Sequence, residues 1–132
     1  MLYPAGPEPR DIWVFGRRAS LRFDPALDRP IAQNQISPSF RNFEGCSSVV
    51  DEQGTLQFYT NGETVDNRLG KIMPNGTALG GSTSASQGAL AVRAVNNAKL
   101  YYLFTQGDKE SNLQAGLRYS LIDMRLDNGL GP

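Results

Sequence analysis

The chain has 132 residues, with 13 Lys and Arg set against 13 Asp and Glu, and no His. That length suits one domain with a modest core, and the balanced charge removes any electrostatic case for nucleic acid or an anionic membrane surface. No apolar run approaches the ~20 residues that span a bilayer, the lone Cys46 excludes an intrachain disulfide, and 14 Gly with 8 Pro fit a loop-rich all-β protein better than a helical one.

In chain order, residues 1–10 read as a flexible or extended lead-in, because Pro4, Pro7 and Pro9 block regular structure. Met1-Leu2-Tyr3-Pro4 runs into polar sequence, not the apolar stretch of a signal peptide. Ile12-Trp13-Val14-Phe15-Gly16 reads as a first strand and Leu21-Arg22-Phe23 as a half-buried second. Residues 24–42 carry Pro25, Pro30 and Pro38 and read as a long irregular connection.

The block from Phe43 to Leu79 is the most informative. Ser47-Ser48-Val49-Val50 reads as small and apolar, and Asp51-Glu52-Gln53-Gly54 as a turn whose glycine takes positive φ. Thr55–Thr60 is a strand, Asn61-Gly62 a strong hairpin signal, and Val65 and Lys71-Ile72-Met73 flank a turn at Asn67-Arg68-Leu69-Gly70. Residues 74–87 form a Gly-, Ser- and Thr-rich loop. Gly88–Val92 is a small-residue strand, with a short helix over 88–95 as its alternative. Lys99–Thr105 is the clearest strand, Gln106–Ala115 a polar loop, and Leu117–Met124 a final strand.

Strand endings recur at Phe15-Gly16, Thr60-Asn61-Gly62 and Thr105-Gln106-Gly107, with the glycines 46 and 45 residues apart. A period of roughly 40–50 residues is that of four-stranded propeller blades. Chance recurrence of aromatic strands ending in glycine is the alternative.

Ile12–Gly16 through Leu21–Asp24, Glu44-Gly45-Cys46-Ser47-Ser48, Gly54–Gly62, Met73–Gly76, the segment up to Gln87, Tyr101–Thr105 and Gly116–Met124 together resemble a family of large secreted Bacteroidetes surface proteins. The resemblance covers nearly all of residues 11–131. It implies an N-terminal WD40-like or quinoprotein-like β-propeller, followed in longer members by PKD repeats and a type IX secretion or gliding-motility-associated C-terminal domain. It departs at Asp66, where members usually carry Trp in a Val-Trp-Asn run. The expected architecture is an all-β, partial β-propeller of about three blades over 11–132, truncated at its C-terminal end. An open arc leaves a sheet face and strand edges uncovered. Further blades of the same parent protein, or another copy, would complete it. The resemblance places the protein outside the cell or on the outer surface.

Candidate binding residues lie on the loops: Glu44, Asn75, Thr77, Ser82, Thr83, Ser84, Gln87, Asp108, Glu110 and Asn112. Propellers hold such loops on one rigid face. Carboxylates there offer Ca²⁺ ligands or a glycosidase pair, but no EF-hand spacing and no paired motif supports either, and no cofactor is expected. The bland reading is that Asp51 caps a turn, Asp108 and Glu110 are solvated, and Asp123 pins an edge. Cys46 has no His partner and reads as an inert buried thiol. No Gly-x-Ser-x-Gly elbow serves the loop serines, so a flexible binding loop or a plain connection fits better. Asn75-Gly76-Thr77 matches a glycosylation sequon but reads as turn chemistry. Trp13, Tyr59, Tyr101, Tyr102 and Tyr119 suit core packing more than sugar stacking. The expected function is a non-catalytic adhesion or binding module for extracellular glycan or protein. The alternatives are a fragment of a propeller enzyme acting on extracellular polymers, and a structural part of a surface or secretion assembly.

Overall fold

The computed structural model describes residues 12–24, 26–33, 36–110, 112 and 114–132; the expected lead-in at 1–10 lies outside them. Nine strands follow in order: β1 Ile12–Phe15, β2 Ala19–Arg22, β3 Ile31–Gln33, β4 Ser47–Val50, β5 Leu56–Thr60, β6 Val65–Asn67, β7 Ala89–Ala94, β8 Asn97–Gln106 and β9 Leu117–Asp123. A 3-10 turn spans Asp127–Gly129. The strands form three antiparallel sheets, β1-β2-β3, β4-β5-β6 and β7-β8-β9. The fold is all-β, and the described residues form no closed barrel or propeller.

Several local expectations change. The connection over 24–42 contains β3, which follows Pro30 and pairs Ala32 with Leu21 and Ile31 with Arg22. Each sheet has three strands, not four. Lys71-Ile72-Met73 adds only one bridge, Ile72 to Asp66. Asn67 curls the chain away there, since its Oδ1 accepts the Leu69 and Lys71 N–H groups at 3.0 and 3.2 Å. Residues 89–94 are strand, so the helix alternative is set aside. Gly16 follows the first strand of its sheet, whereas Gly62 and Gly107 follow middle strands, so the glycine spacing does not mark equivalent sheet positions.

The second sheet is the middle layer, and β5 is buried along its whole length. Val50 pairs with Leu56 but Val49 pairs with Phe58, so Gln57 is an extra, bulged residue. The bulge breaks the strict two-residue alternation. Leu56 and Tyr59 therefore share the face packed on Val14, Ile36 and Phe40 of the first sheet and its connection. Phe58 and Val65 face Tyr101, Leu103, Ile122 and Met124 of the third sheet and its flank. Each contact has an edge-on aromatic pair, Phe40–Tyr59 at 5.0 Å and Phe58–Tyr101 at 5.3 Å. Gln57 itself is held by Asp51, whose Oδ2 accepts its Nε2 at 2.9 Å. The Asp51 turn forms as expected, Oδ1 accepting the Gln53 and Thr55 amides.

β4 joins all three sheets. Ser48 Oγ donates to the Ile12 carbonyl at 2.8 Å and Cys46 Sγ to the Val14 carbonyl at 3.0 Å. Ser47 Oγ, on the opposite side, accepts the Ala91 N–H at 3.3 Å. The alternation of a strand sends neighbouring side chains to opposite faces. Small hydroxyl and thiol groups thus satisfy backbone groups that the edges of β1 and β7 leave unpaired. Ser47 and Ser48, expected to be merely small and apolar, are polar links. Asn42, Cys46 and Ser48 reach Gly16, Val14 and Ile12 in turn, so β1 and β4 run in opposite senses. Gly45 and Ser47 reach Ala85 and Ala91, so β4 and β7 run in the same sense.

Asp66 stands on the face toward the first sheet and is only 2% exposed. Thr64 Oγ1 reaches its Oδ2 at 3.4 Å, while Oδ1 has no hydrogen-bond partner. Burial pushes the Asp66 carboxyl up from its ordinary value, against weaker pulls from Thr64 and Ser37. Burial also pushes the neighbouring Tyr59 phenol up to about 12, although its oxygen accepts the Ser37 N–H at 2.8 Å.

Two outcomes follow from these contacts. Ser48→Ala strands the Ile12 carbonyl and lowers stability by about 1–2 kcal/mol, measured by urea unfolding, whereas the exposed Ser84→Ala leaves it nearly unchanged. Asp66 has its native pKa above the unfolded one, so its stabilising state is the protonated one. That contribution is complete below about pH 3.8 and is lost as pH rises through the raised native value. Asp66→Asn therefore raises the melting temperature at pH 7 and changes it little at pH 3. An equal shift at both pH values contradicts this account.

Candidate functional site

Backbone contacts pin the loop 82–88. Thr83 O accepts both the Phe43 and Glu44 N–H groups at 3.2 Å, and Ala85 O accepts the Gly45 N–H at 3.0 Å. Gly81 N donates to Gly62 O at 3.1 Å, and Gln106 N to Gly88 O at 3.2 Å. Inside the loop, Ala85 N bonds to Ser82 O and Gly88 N to Ala85 O. Gly45 is required by close approach, since a Cβ there would lie 2.5 Å from Gly88 N and 2.7 Å from Ala85 O. The Glu44-Gly45-Cys46 motif thus has a packing reason at Gly45 and a linking one at Cys46.

This docking brings Glu44, Ser84, Gln87, Asp108 and Glu110 around one cleft of about 370 Å³. Ser86, Gln106 and Lys109 complete its polar wall. Ser86 Oγ donates to Glu44 Oε2 at 2.6 Å, and Ser82 Oγ to Asp108 Oδ2 at 2.5 Å. Two carboxylates on separate segments are therefore oriented by serine hydroxyls. The Thr83 N–H donates to Glu63 Oε1 at 3.2 Å, which fixes the loop from the other side.

A second cleft of about 680 Å³ adjoins the first and shares Ser86, Gln87 and Gln106 with it. Its remaining wall includes Leu90, Phe104 and Leu117. Cys46 lies there too, half-buried, with its thiol pushed up by burial. The two clefts form a groove that is acidic and hydroxyl-lined at one end and apolar at the other.

The other candidates do not join this groove. Asn75 lines a separate cleft of about 380 Å³ with Met73, Leu79 and Ile122. It sits in a tight turn at φ 58°, with Gly76 N bonded to Met73 O, so turn chemistry accounts for Asn75-Gly76. Thr77 is exposed beside it, and Asn112 is an exposed turn residue at φ 55°. Asp123 is clasped by Arg125 at 2.6 Å, which holds its carboxyl down to about 2. The aromatic residues divide: Tyr59 and Tyr101 are core, whereas Trp13, Tyr102 and Tyr119 are exposed. Ser86, Gln106 and Lys109 are not among the candidate residues; their signals are local, Ser86 lying between Ser84 and Gln87, and Gln106 and Lys109 in the polar loop Gln106–Ala115.

Among the described residues, no three His, Cys, Asp or Glu side chains group to hold a metal ion. No helix among them is long and apolar enough to cross a membrane.

Gly45→Ala drives a methyl group into the backbone of residues 85–88 and releases the loop. Amide hydrogen exchange is predicted to accelerate at Phe43, Glu44 and Gly45 by about tenfold or more, while amides in β8 keep their protection.

Comparison with protein-family models, with curated proteins and with solved structures finds no match for this chain.

Proposed function

We propose that the chain is a non-catalytic recognition module, and that its ligand is a hydroxyl-rich glycan held in the groove between loops 82–88 and 106–110. The observation that carries this reading is the amphipathic groove on a backbone-clamped loop. Carboxylates oriented by serine hydroxyls, together with the Gln87 and Gln106 amides, are acceptors and donors suited to sugar hydroxyls. The adjoining Leu90, Phe104 and Leu117 wall suits the C–H face of a sugar ring. Glu44, Asp108 and Glu110 outnumber Lys109, so the groove disfavours polyanionic chains.

In the same reading, the three sheets are blades of a β-propeller-like arc. Support comes from three meanders in chain order, face-to-face packing on both sides of β5, and β4 and β7 running side by side in one sense. The resemblance to secreted surface proteins supports an extracellular or cell-surface setting, where such a module serves adhesion.

A glycan microarray followed by calorimetry tests this. Glu44→Gln and Glu110→Gln are predicted to weaken binding of the best neutral oligosaccharide about 10-fold or more, the loss of one charge-assisted hydrogen bond. Asn75→Ala is predicted to leave it unchanged. Binding that survives both groove substitutions, or that selects polyanionic chains, sinks the reading.

A further inference from the structure

The two ends of the groove differ in chemistry. The smaller cleft, of about 370 Å³, has charged side chains in its wall: Glu44, Asp108, Lys109 and Glu110. The larger one, of about 680 Å³, has none among the described residues. The clefts meet at Ser86, Gln87 and Gln106.

Past that border, the polar side chains of the larger cleft are Cys46 and Thr105, and both are already engaged. Cys46 Sγ donates to the Val14 carbonyl at 3.0 Å, and Thr105 Oγ1 to the Leu79 carbonyl at 2.9 Å. Thr105 is buried besides. The other side chains there are those of Ala89, Leu90, Phe104 and Leu117. Register explains part of this grouping. Leu90 lies opposite Phe104 and Leu117 opposite Gln106, so the three apolar side chains share one face of the third sheet. Leu117 is 74% exposed and Leu90 60%, so both are open to a ligand.

A second sugar unit placed in the larger cleft would lose water from hydroxyls that find no side-chain partner, and each loss is unfavourable. A hydrocarbon chain placed there loses nothing polar and gains with every methylene removed from water. An apolar cleft larger than the polar one it joins therefore matches an amphiphile better than a long chain of sugars. We infer that the ligand of the groove is a glycoside of an alkyl or acyl chain, with its sugar head at the Glu44–Glu110 end and its hydrocarbon tail along Leu90, Phe104 and Leu117. The C–H face of the head rests on the near part of this wall and the tail takes the remainder. The inference rests on the glycan reading and adds the class of the ligand. The excess of carboxylates over Lys109 favours an uncharged head and opposes docking on an anionic bilayer, so the amphiphile is held as a single molecule.

Calorimetry on the full chain tests this with the methyl and octyl β-glycosides of glucose, galactose and maltose, each below its critical micelle concentration. A fully buried methylene is worth about fourfold in affinity. Burial of roughly two methylenes already gives the octyl form of the preferred sugar a gain of more than tenfold over its methyl form. Leu117→Ser and Leu90→Ser, both at exposed positions, are each predicted to lower that octyl-to-methyl ratio at least threefold. Leu121→Ser, on the same face of the sheet but outside the cleft, is predicted to leave the ratio unchanged. Glu44→Gln is predicted to weaken methyl and octyl forms alike, which reads the sugar head separately from the tail. Methyl glycosides that bind with no gain from the octyl chain overturn the inference and leave the glycan reading standing. A gain that survives both leucine substitutions in the cleft places the tail elsewhere and also overturns it, as does a lack of binding by all three octyl compounds. Octyl compounds that bind equally whatever their sugar, and that ignore Glu44→Gln, overturn the inference and the glycan reading together.

Discussion

The fold depends on what three small side chains do around β4. A stack of separate antiparallel sheets has an intrinsic weakness, since every sheet presents edge N–H and C=O groups that its neighbour cannot reach through a regular ladder. Here Cys46 and Ser48 serve the edge carbonyls of β1, and Ser47 serves an edge N–H of β7. Larger side chains would hold the sheets apart, and purely apolar ones would leave those groups unpaired at a cost of about 1–3 kcal/mol each. Small polar residues meet both demands at once.

That link fixes the geometry of everything downstream. Once β4 and β7 lie side by side, Gly45 meets residues 85–88 at backbone distance. The loop 82–88 is then fastened to Phe43–Gly45, and its serines are carried to Glu44 and Asp108. The bulge at Gln57 works on the other axis of the stack. By breaking the alternation, it lets β5 supply Tyr59 to one core and Phe58 to the other. Asp66 is the exception to this economy: a buried carboxylate with an unpartnered oxygen, it weakens the contact between the first two sheets at neutral pH.

The elements legible in the sequence were those whose signal is local. Thr55–Thr60 and Lys99–Thr105 are rich in aromatic and aliphatic residues and each is followed two residues on by glycine, and strands form there at Leu56–Thr60 and Asn97–Gln106. The Asp51–Gly54 and Asn67–Gly70 turns follow from their own side chains and from positive φ at the closing glycine. What could not be read was set by distant partners. β3 is three residues long and exists because β2 offers an edge. Ser47 and Ser48 look apolar in isolation, and only the strands on either side make their hydroxyls necessary. The site was legible in part for the same reason. Loop composition pointed to Ser84, Gln87, Asp108 and Glu110, and Glu44 stood out at the start of a strand, but its link to Ser86 across 42 residues is set by tertiary contact alone. Asn75 and Thr77 belong to the same long loop in sequence and to a different place in space.

β4 makes the three sheets one cooperative unit. Native-state hydrogen exchange across a denaturant series measures this directly. The account predicts that the most protected amides of β2, β5 and β8 converge on a single opening free energy as denaturant rises. A first sheet whose amides open at clearly lower free energy, independently of β5 and β8, would contradict it.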